Sequence, residues 1–136
     1  MHLVLTAHQP YRLTSVLGSH GWIRLAPNRT DPELSTLTRV ERLESGRIAE
    51  IRVAEAPGGV CAAVDGDLTA AERQEVASKV AWMLDLDKDL SSFYALTRQE
   101  PKLSQIEQNA QGRLLRSSTL FEDTIKTILT TNTAWS

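Results

Sequence analysis

The stretch that decides the fold is LTRVERLESGRIAEIRVAEA, residues 37–56. In its second half, apolar side chains such as Ile51 and Val53 alternate with polar ones, which is the period of a β-strand with one buried face. The first half alternates less regularly, and Ser45-Gly46 between the halves is a dipeptide typical of tight turns. The stretch therefore predicts a β-hairpin.

The hairpin is expected to belong to a small antiparallel sheet. Pro57-Gly58-Gly59 predicts a second turn, and residues 60–64 form an apolar run of strand length. Upstream, residues 11–13 are predicted to form a strand that leads into a short helical turn around Val16 and Leu17. Residues 27–32 are predicted to form a loop, because two prolines disfavour regular pairing.

Helical spacing replaces the strand pattern after Asp65. Thr69 and Glu72 have the spacing of a capping box, in which two side chains satisfy free backbone N–H groups where a helix begins. We expect the apolar face that follows to be buried against the sheet around Ile51 and Val53; it comprises Val76, Ala77, Val80, Ala81 and Leu84. Shorter helices are predicted at residues 89–96 and after Pro101. Strands first and helices later indicate an α+β fold.

A final helix is predicted after Thr119, which with Glu122 has the spacing of a second capping box. Its apolar stripe needs a partner surface and is expected to be buried in a complete protein; it comprises Phe121, Ile125, Ile128 and Leu129. The chain ends soon after this helix, and the sequence is therefore interpreted as a truncated piece of a larger protein. An exposed stripe could drive self-association of the isolated piece.

Composition limits the class of protein. The chain has 136 residues, 15 basic and 17 acidic side chains, and one cysteine, Cys61. A lone cysteine forms no internal disulfide, and its apolar neighbours predict a buried position on a strand. Neither a signal peptide nor a membrane-spanning apolar stretch is recognised, so a cytoplasmic protein without a membrane partner is expected. The slight negative charge argues mildly against a free-standing nucleic-acid binder.

No metal or cofactor is predicted. The three histidines are scattered without the spacing of metal ligands, and His20 is interpreted as a loop or packing residue. Three aspartates near a helix junction are interpreted as helix caps rather than as ligands or acid–base residues: Asp85, Asp87 and Asp89.

The most specific signal is GRLLRSSTLFEDTIKTILTTNTAW, residues 112–135. A Gly/Arg/Leu-rich approach leads into a Phe-Glu helix that ends in a small polar cluster with an asparagine. This order resembles the start of the helical domain of helix-hairpin-helix DNA glycosylases, the superfamily of 3-methyladenine glycosylase II and 8-oxoguanine glycosylase. The resemblance implies a TATA-binding-protein-like half fold, a small antiparallel sheet with a packed helix, over residues 1–86. Residues 87–136 would then begin an all-α glycosylase domain.

The resemblance also implies a partner and a site. The partner is double-stranded DNA, bound by the full-length parent protein, and Thr131, Asn132 and Thr133 are expected to contact it near the gap left by an extruded base. In the family, the catalytic aspartate and the lysine of bifunctional members follow a helix-hairpin-helix element beyond this motif. No catalytic residue is therefore assigned, Lys126 included, and the chain alone is expected to be inactive. The implied function is removal of alkylated or oxidised purines in base-excision repair.

Alternative interpretations stay open. The chain could be a stand-alone interaction or ligand-binding module that uses its small sheet. The polar residues 131–133 could simply terminate a helix, where asparagine is common. A catalytic domain complete within this chain is disfavoured, because the sequence shows no nucleophile–base pair or metal cluster.

Overall fold

The computed structural model describes residues 1–131, and it has the α+β architecture that the sequence predicts. Five strands form one antiparallel sheet in the order β1-β5-β4-β3-β2; they are β1 (His2–Thr6), β2 (Asn28–Thr30), β3 (Thr36–Arg42), β4 (Ile48–Ala56) and β5 (Gly59–Val64). The helices are α1 (Leu13–Leu17), α2 (Ala70–Met83), α3 (Ser91–Thr97), α4 (Gln105–Gln108) and α5 (Leu120–Thr130). Short 3₁₀ turns cover Gly21–Arg24 and Pro101–Leu103.

The predicted hairpin is confirmed. Strands β3 and β4 pair from Thr36 opposite Ala54 to Arg42 opposite Ile48. In the turn, Gly46 has φ +86°, a left-handed conformation that glycine adopts without steric cost. Core-facing residues alternate along β4 as expected, so one face of the sheet is buried.

Glycine is also required where β1 meets β5. A Cβ added at Gly59 would lie 2.0 Å from the carbonyl oxygen of Leu5, the residue beside its pairing partner Thr6. Only a residue without a side chain lets the two backbones approach this closely. The β1–β5 pairing therefore depends on the identity of residue 59.

Three predictions about the first 32 residues were wrong or incomplete. Residues 11–13 form no strand, since Leu13 already begins α1 and its N–H donates to the Glu55 carboxylate at 2.7 Å. The first strand is instead β1, which the sequence patterns did not indicate. Residues 28–30, predicted to be loop, form the short edge strand β2, because three residues suffice to pair with β3.

Helix α2 closes the buried face of the sheet as predicted. The Thr69 hydroxyl accepts from the N–H of Glu72 at 3.2 Å, and the Glu72 carboxylate accepts from the N–H of Thr69 at 2.9 Å. Both halves of the capping box are therefore present. The predicted stripe is buried in the same core as Ile51 and Val53; its fully covered members are Val76, Val80 and Leu84.

A buried arginine joins the later part of the chain to this sheet-and-helix unit. Arg113 is only 2% exposed, and its guanidinium lies 5.5 Å from the centre of the Tyr11 ring. It donates hydrogen bonds of 2.7–3.1 Å to the main-chain carbonyls of His8, Pro10, Asp85 and Lys88. Leu115, two residues later, belongs to the main core. The predicted boundary after residue 86 remains a prediction.

We expect Arg113→Met to lower the free energy of unfolding by at least about 3 kcal/mol, because several buried carbonyls would lose their donor. Chemical denaturation of the purified chain measures this. The control is Arg98→Met, since Arg98 is 62% exposed and an exposed ion pair contributes at most about 1 kcal/mol. Similar losses for the two variants would contradict the assigned role of Arg113.

The two tyrosines make a second matched test. Within residues 1–131 the buried hydroxyl of Tyr11 has no hydrogen-bond partner, whereas the Tyr94 hydroxyl donates to the carbonyl of Gln111 at 2.8 Å. Burial raises the pKa of both phenols. We expect Tyr94→Phe to cost about 1 kcal/mol of stability and Tyr11→Phe to cost nothing or to stabilise. Thermal unfolding that ranks the two variants the other way would refute this assignment.

Candidate nucleic-acid interface

Helix α5 carries the motif that resembles the glycosylase family, and its first turn differs from the prediction. The Thr119 hydroxyl accepts from the N–H of Glu122 at 3.2 Å, so half of the expected capping box exists. The Glu122 carboxylate does not accept the reciprocal hydrogen bond from the main-chain N–H of Thr119. It accepts instead from the guanidinium of Arg39 on β3 and from Lys126 at 2.6 Å. A longer-range ion pair has replaced the second half of the box.

Arg39 is the centre of this charged cluster. It lies on the buried side of β3 and is 3% exposed. Its guanidinium donates to Glu41, to Asn28 at 3.1 Å and to Ser118 at 3.2 Å, besides Glu122. Glu41 in turn lies 3.5 Å from Lys79 of α2. The cluster therefore connects the sheet to α5 through charged hydrogen bonds and to α2 through an ion pair.

The electrostatics of Glu122 follow from these neighbours. Burial by itself would raise the pKa of the Glu122 carboxyl. The hydrogen bonds from Arg39 and Lys126 outweigh burial and hold that pKa below its ordinary range. The group is therefore ionised at neutral pH and remains available to both cations.

The apolar stripe of α5 is exposed in this chain. Phe121 is 75% exposed and Ile128 is 62% exposed, and none of the residues of α5 is buried. The burial expected for Phe121, Ile125 and Ile128 in a complete protein is therefore not provided by residues 1–131. Self-association through this stripe remains a prediction.

At its C-terminal end α5 presents threonines. The Thr130 hydroxyl donates to the carbonyl of Lys126 at 2.8 Å, and the Thr131 hydroxyl donates to that of Thr127 at 2.9 Å. Thr131 is exposed and its oxygen can still accept a hydrogen bond from a ligand. Asn132 and Thr133, the other predicted DNA contacts, lie outside the described residues.

An open groove of about 720 Å³ runs beside the start of α5, and no sequence pattern predicted it. Its walls include Trp22, Trp82 and Leu114, and the Arg116 guanidinium lies 4.4 Å from the centre of the Trp82 ring. Trp82 does not lie on the buried apolar stripe of α2, so its exposure could have been predicted from the helical spacing. Arg116 also pairs with Asp85 at 3.0 Å.

The other candidate polar residues have structural partners. Asp85 pairs with Lys88 and Arg116, and the Asp89 carboxylate accepts from the N–H of Ser91, which lowers the pKa of Asp89. His20 packs edge-on against Trp22 and contacts the carbonyl of Leu115 at 2.7 Å through Nε2.

Residues 1–131 contain neither a cluster of potential metal ligands nor a helix able to span a membrane. Among residues 1–131, no group of three or more His, Cys, Asp or Glu side chains is placed to hold a metal ion. None of the helices described there has the length and apolarity that crossing a bilayer requires.

Two further side chains refine the expectations from sequence. Cys61 lies on strand β5 as predicted but is only half-buried, 3.7 Å from Nδ1 of His2. Lys126 is held by Glu122, by the Ser117 hydroxyl at 3.0 Å and near the Trp22 ring. Its partners outside α5 are therefore a residue of the preceding segment and a residue of the 3₁₀ turn at Gly21–Arg24.

Comparison with solved structures places this geometry in context. A 3-methyladenine DNA glycosylase from Archaeoglobus fulgidus superposes with a TM-score of 0.68 at 17% sequence identity. The chain shares the fold of part of that enzyme. The match covers 98% of this chain and 45% of the other, so the chain spans less than half of that structure. No protein-family model matches the sequence, and no curated protein matches it.

The lowered pKa of Glu122 predicts how stability depends on pH. Its carboxylate stabilises the folded chain above the ordinary glutamate pKa of about 4.3, and this contribution is lost as the pH falls through the lowered folded value. We expect Glu122→Gln to cost about 1 kcal/mol at neutral pH and almost nothing in strong acid, where glutamic acid and glutamine are both neutral. Denaturant unfolding across pH tests this, and a pH-independent difference would contradict it.

Proposed function

We propose that this chain forms part of a DNA glycosylase that removes damaged purine bases, alkylated or oxidised, from double-stranded DNA. The observation that carries the proposal is the superposition of nearly the whole chain on a 3-methyladenine DNA glycosylase. The motif in residues 112–135 adds independent support, because it is a property of the amino-acid sequence and does not depend on the superposition.

Within such an enzyme we assign different parts of the chain to different tasks. The sheet and α2 form a packed unit, which Arg113 joins to the segment that leads into α5. The far end of α5 would meet the duplex with Thr131, Asn132 and Thr133, which can hydrogen-bond a base edge or the backbone. Extrusion of the target base costs a few kcal/mol of stacking and pairing, and contacts in the resulting gap offset part of that cost.

The groove beside α5 favours a second candidate, a ligand-binding or interaction module. Its exposed indole of Trp82 beneath Arg116 is a surface on which planar groups can stack. An assay that finds no DNA binding but a stoichiometric small ligand would favour this alternative.

The purified chain is expected to release no base from duplexes that contain 3-methyladenine or 8-oxoguanine. The catalytic aspartate of the resembled family follows an element beyond the motif, so this chain would lack the group that drives bond cleavage. Quantifying free base by mass spectrometry is the measurement, with a no-protein blank. Release well above that blank would show that the catalytic group lies within these 136 residues.

DNA contact by Asn132 is tested on a duplex that carries an abasic-site analogue. We expect Asn132→Ala to weaken binding by roughly 1–3 kcal/mol, the usual value of a lost base-edge contact, with little change in stability. The control is Asn109→Ala, which removes an asparagine from the end of α4. Equal affinity of the Asn132→Ala variant and the unmodified chain, at one salt concentration, would reduce Asn132 to a helix terminator.

A further inference from the structure

Helix α5 is attached to the rest of the described chain through polar contacts. Helices of globular proteins usually derive their stability from packing an apolar face, but no residue of α5 is buried. On its polar side, Glu122 accepts from Arg39 and Asp123 accepts from the N–H of Ser117 at 2.8 Å. The orientation of α5 therefore depends on a few hydrogen bonds.

Arg39 is the fixed member of these contacts. Glu41 and Asn28 hold its guanidinium from the sheet side, and it is almost fully buried. Its remaining donors face outward to Glu122 and to Ser118, one residue before the cap of α5. One planar group thus meets both the first turn of the helix and the segment leading into it.

The other cation near Glu122 cannot fix the helix in the same way. Lys126 and Glu122 are four residues apart on α5, so their ion pair lies within the helix. Lys126 reaches beyond α5 to the hydroxyl of Ser117 and the ring of Trp22. Neither Ser117 nor Trp22 lies on a strand of the sheet, whereas Arg39 lies on β3.

Helix length makes the Arg39 contact decisive. Isolated helices shorter than about 12–15 residues are marginal in water, and α5 has 11 residues. A released α5 would lose both its direction and much of its helical structure.

We propose that Arg39 is the positioning residue of α5: it holds the helix on β3 in the orientation that presents its C-terminal polar end to DNA. The proposal rests on the proposed function for what that end contacts. How α5 is held can be measured without DNA.

Hydrogen–deuterium exchange of the whole chain provides the first test. Because Arg39 is buried and its replacement could unfold the sheet, the variant is Glu122→Gln, which keeps the shape and removes the charge. We expect exchange within α5 to rise at least about tenfold. Exchange in β3 and β4 should rise by no more than the roughly fivefold that a loss of about 1 kcal/mol in global stability allows. The control is Glu107→Gln, which alters another two-pronged arginine–glutamate pair, with Arg98, away from α5.

Each alternative result of that test overturns the proposal. Unchanged exchange in α5 would show that something other than Arg39 holds the helix. If exchange in β3 and β4 rose as much as in α5, the Arg39–Glu122 contact would contribute to global stability and would not specifically position α5. If Lys126→Met released α5 as much as Glu122→Gln does, the anchor would be Lys126.

Binding to an abasic-site duplex at fixed salt provides the second test. Removing a negative charge should by itself strengthen attraction to phosphates, so a several-fold weakening in Glu122→Gln would report lost positioning. Unchanged or tighter binding with a released α5 would overturn the proposal. If the unmodified chain does not bind the duplex at all, DNA contact by this part of the enzyme is refuted, while hydrogen exchange still decides whether Arg39 holds α5.

Discussion

The structure depends on one buried guanidinium that is held by backbone oxygen atoms. Arg113 reaches the connection after β1 through His8 and Pro10, and the connection after α2 through Asp85 and Lys88. These two connections are far apart in sequence, and a main-chain hydrogen bond from the N–H of His8 to the carbonyl of Leu86, 2.8 Å long, also joins them. A buried cation is costly to desolvate. Hydrogen bonds to four main-chain carbonyls offset part of that cost and fix the orientation of the guanidinium. These hydrogen bonds fix the position of Arg113 and so of the segment that leads into α5.

Two arginines with different partners divide the work of assembly. Arg113 meets neutral main-chain carbonyls, so its contacts do not require an ionised partner side chain. Arg39 meets carboxylates, and the Glu122 contact weakens in acid. The attachment of α5 therefore depends on the ionisation of Glu122, whereas the contacts of Arg113 involve only neutral partners. Under the proposed function, such a difference would suit a helix whose exposed stripe packs against the rest of the enzyme.

What the sequence predicted correctly was locally determined. The β3–β4 hairpin is specified by alternation and a glycine turn, and α2 by a capping box followed by one apolar face. Errors arose where distant partners decide. Strand β1 is an edge strand, recognisable only from its pairing with β5, and Glu122 left its predicted capping position because a guanidinium 83 residues away competes for it. The Trp22–Trp82 groove was missed since its walls come from separate segments. The domain boundary and the three DNA-contact residues remain predictions.

The close approach of β1 and β5 at Gly59 has a consequence for how the sheet meets its surroundings. β5 is short and carries no charged side chain, and GVCAAV combines β-branched and small apolar residues. As an interior strand it is harmless, because β1 occupies its outer hydrogen-bonding edge. Any side chain at residue 59 would displace β1 and leave that edge open to other chains, which is how sheet proteins aggregate. Gly59 therefore protects the chain against edge-to-edge aggregation, because it allows β1 to cover the outer edge of β5.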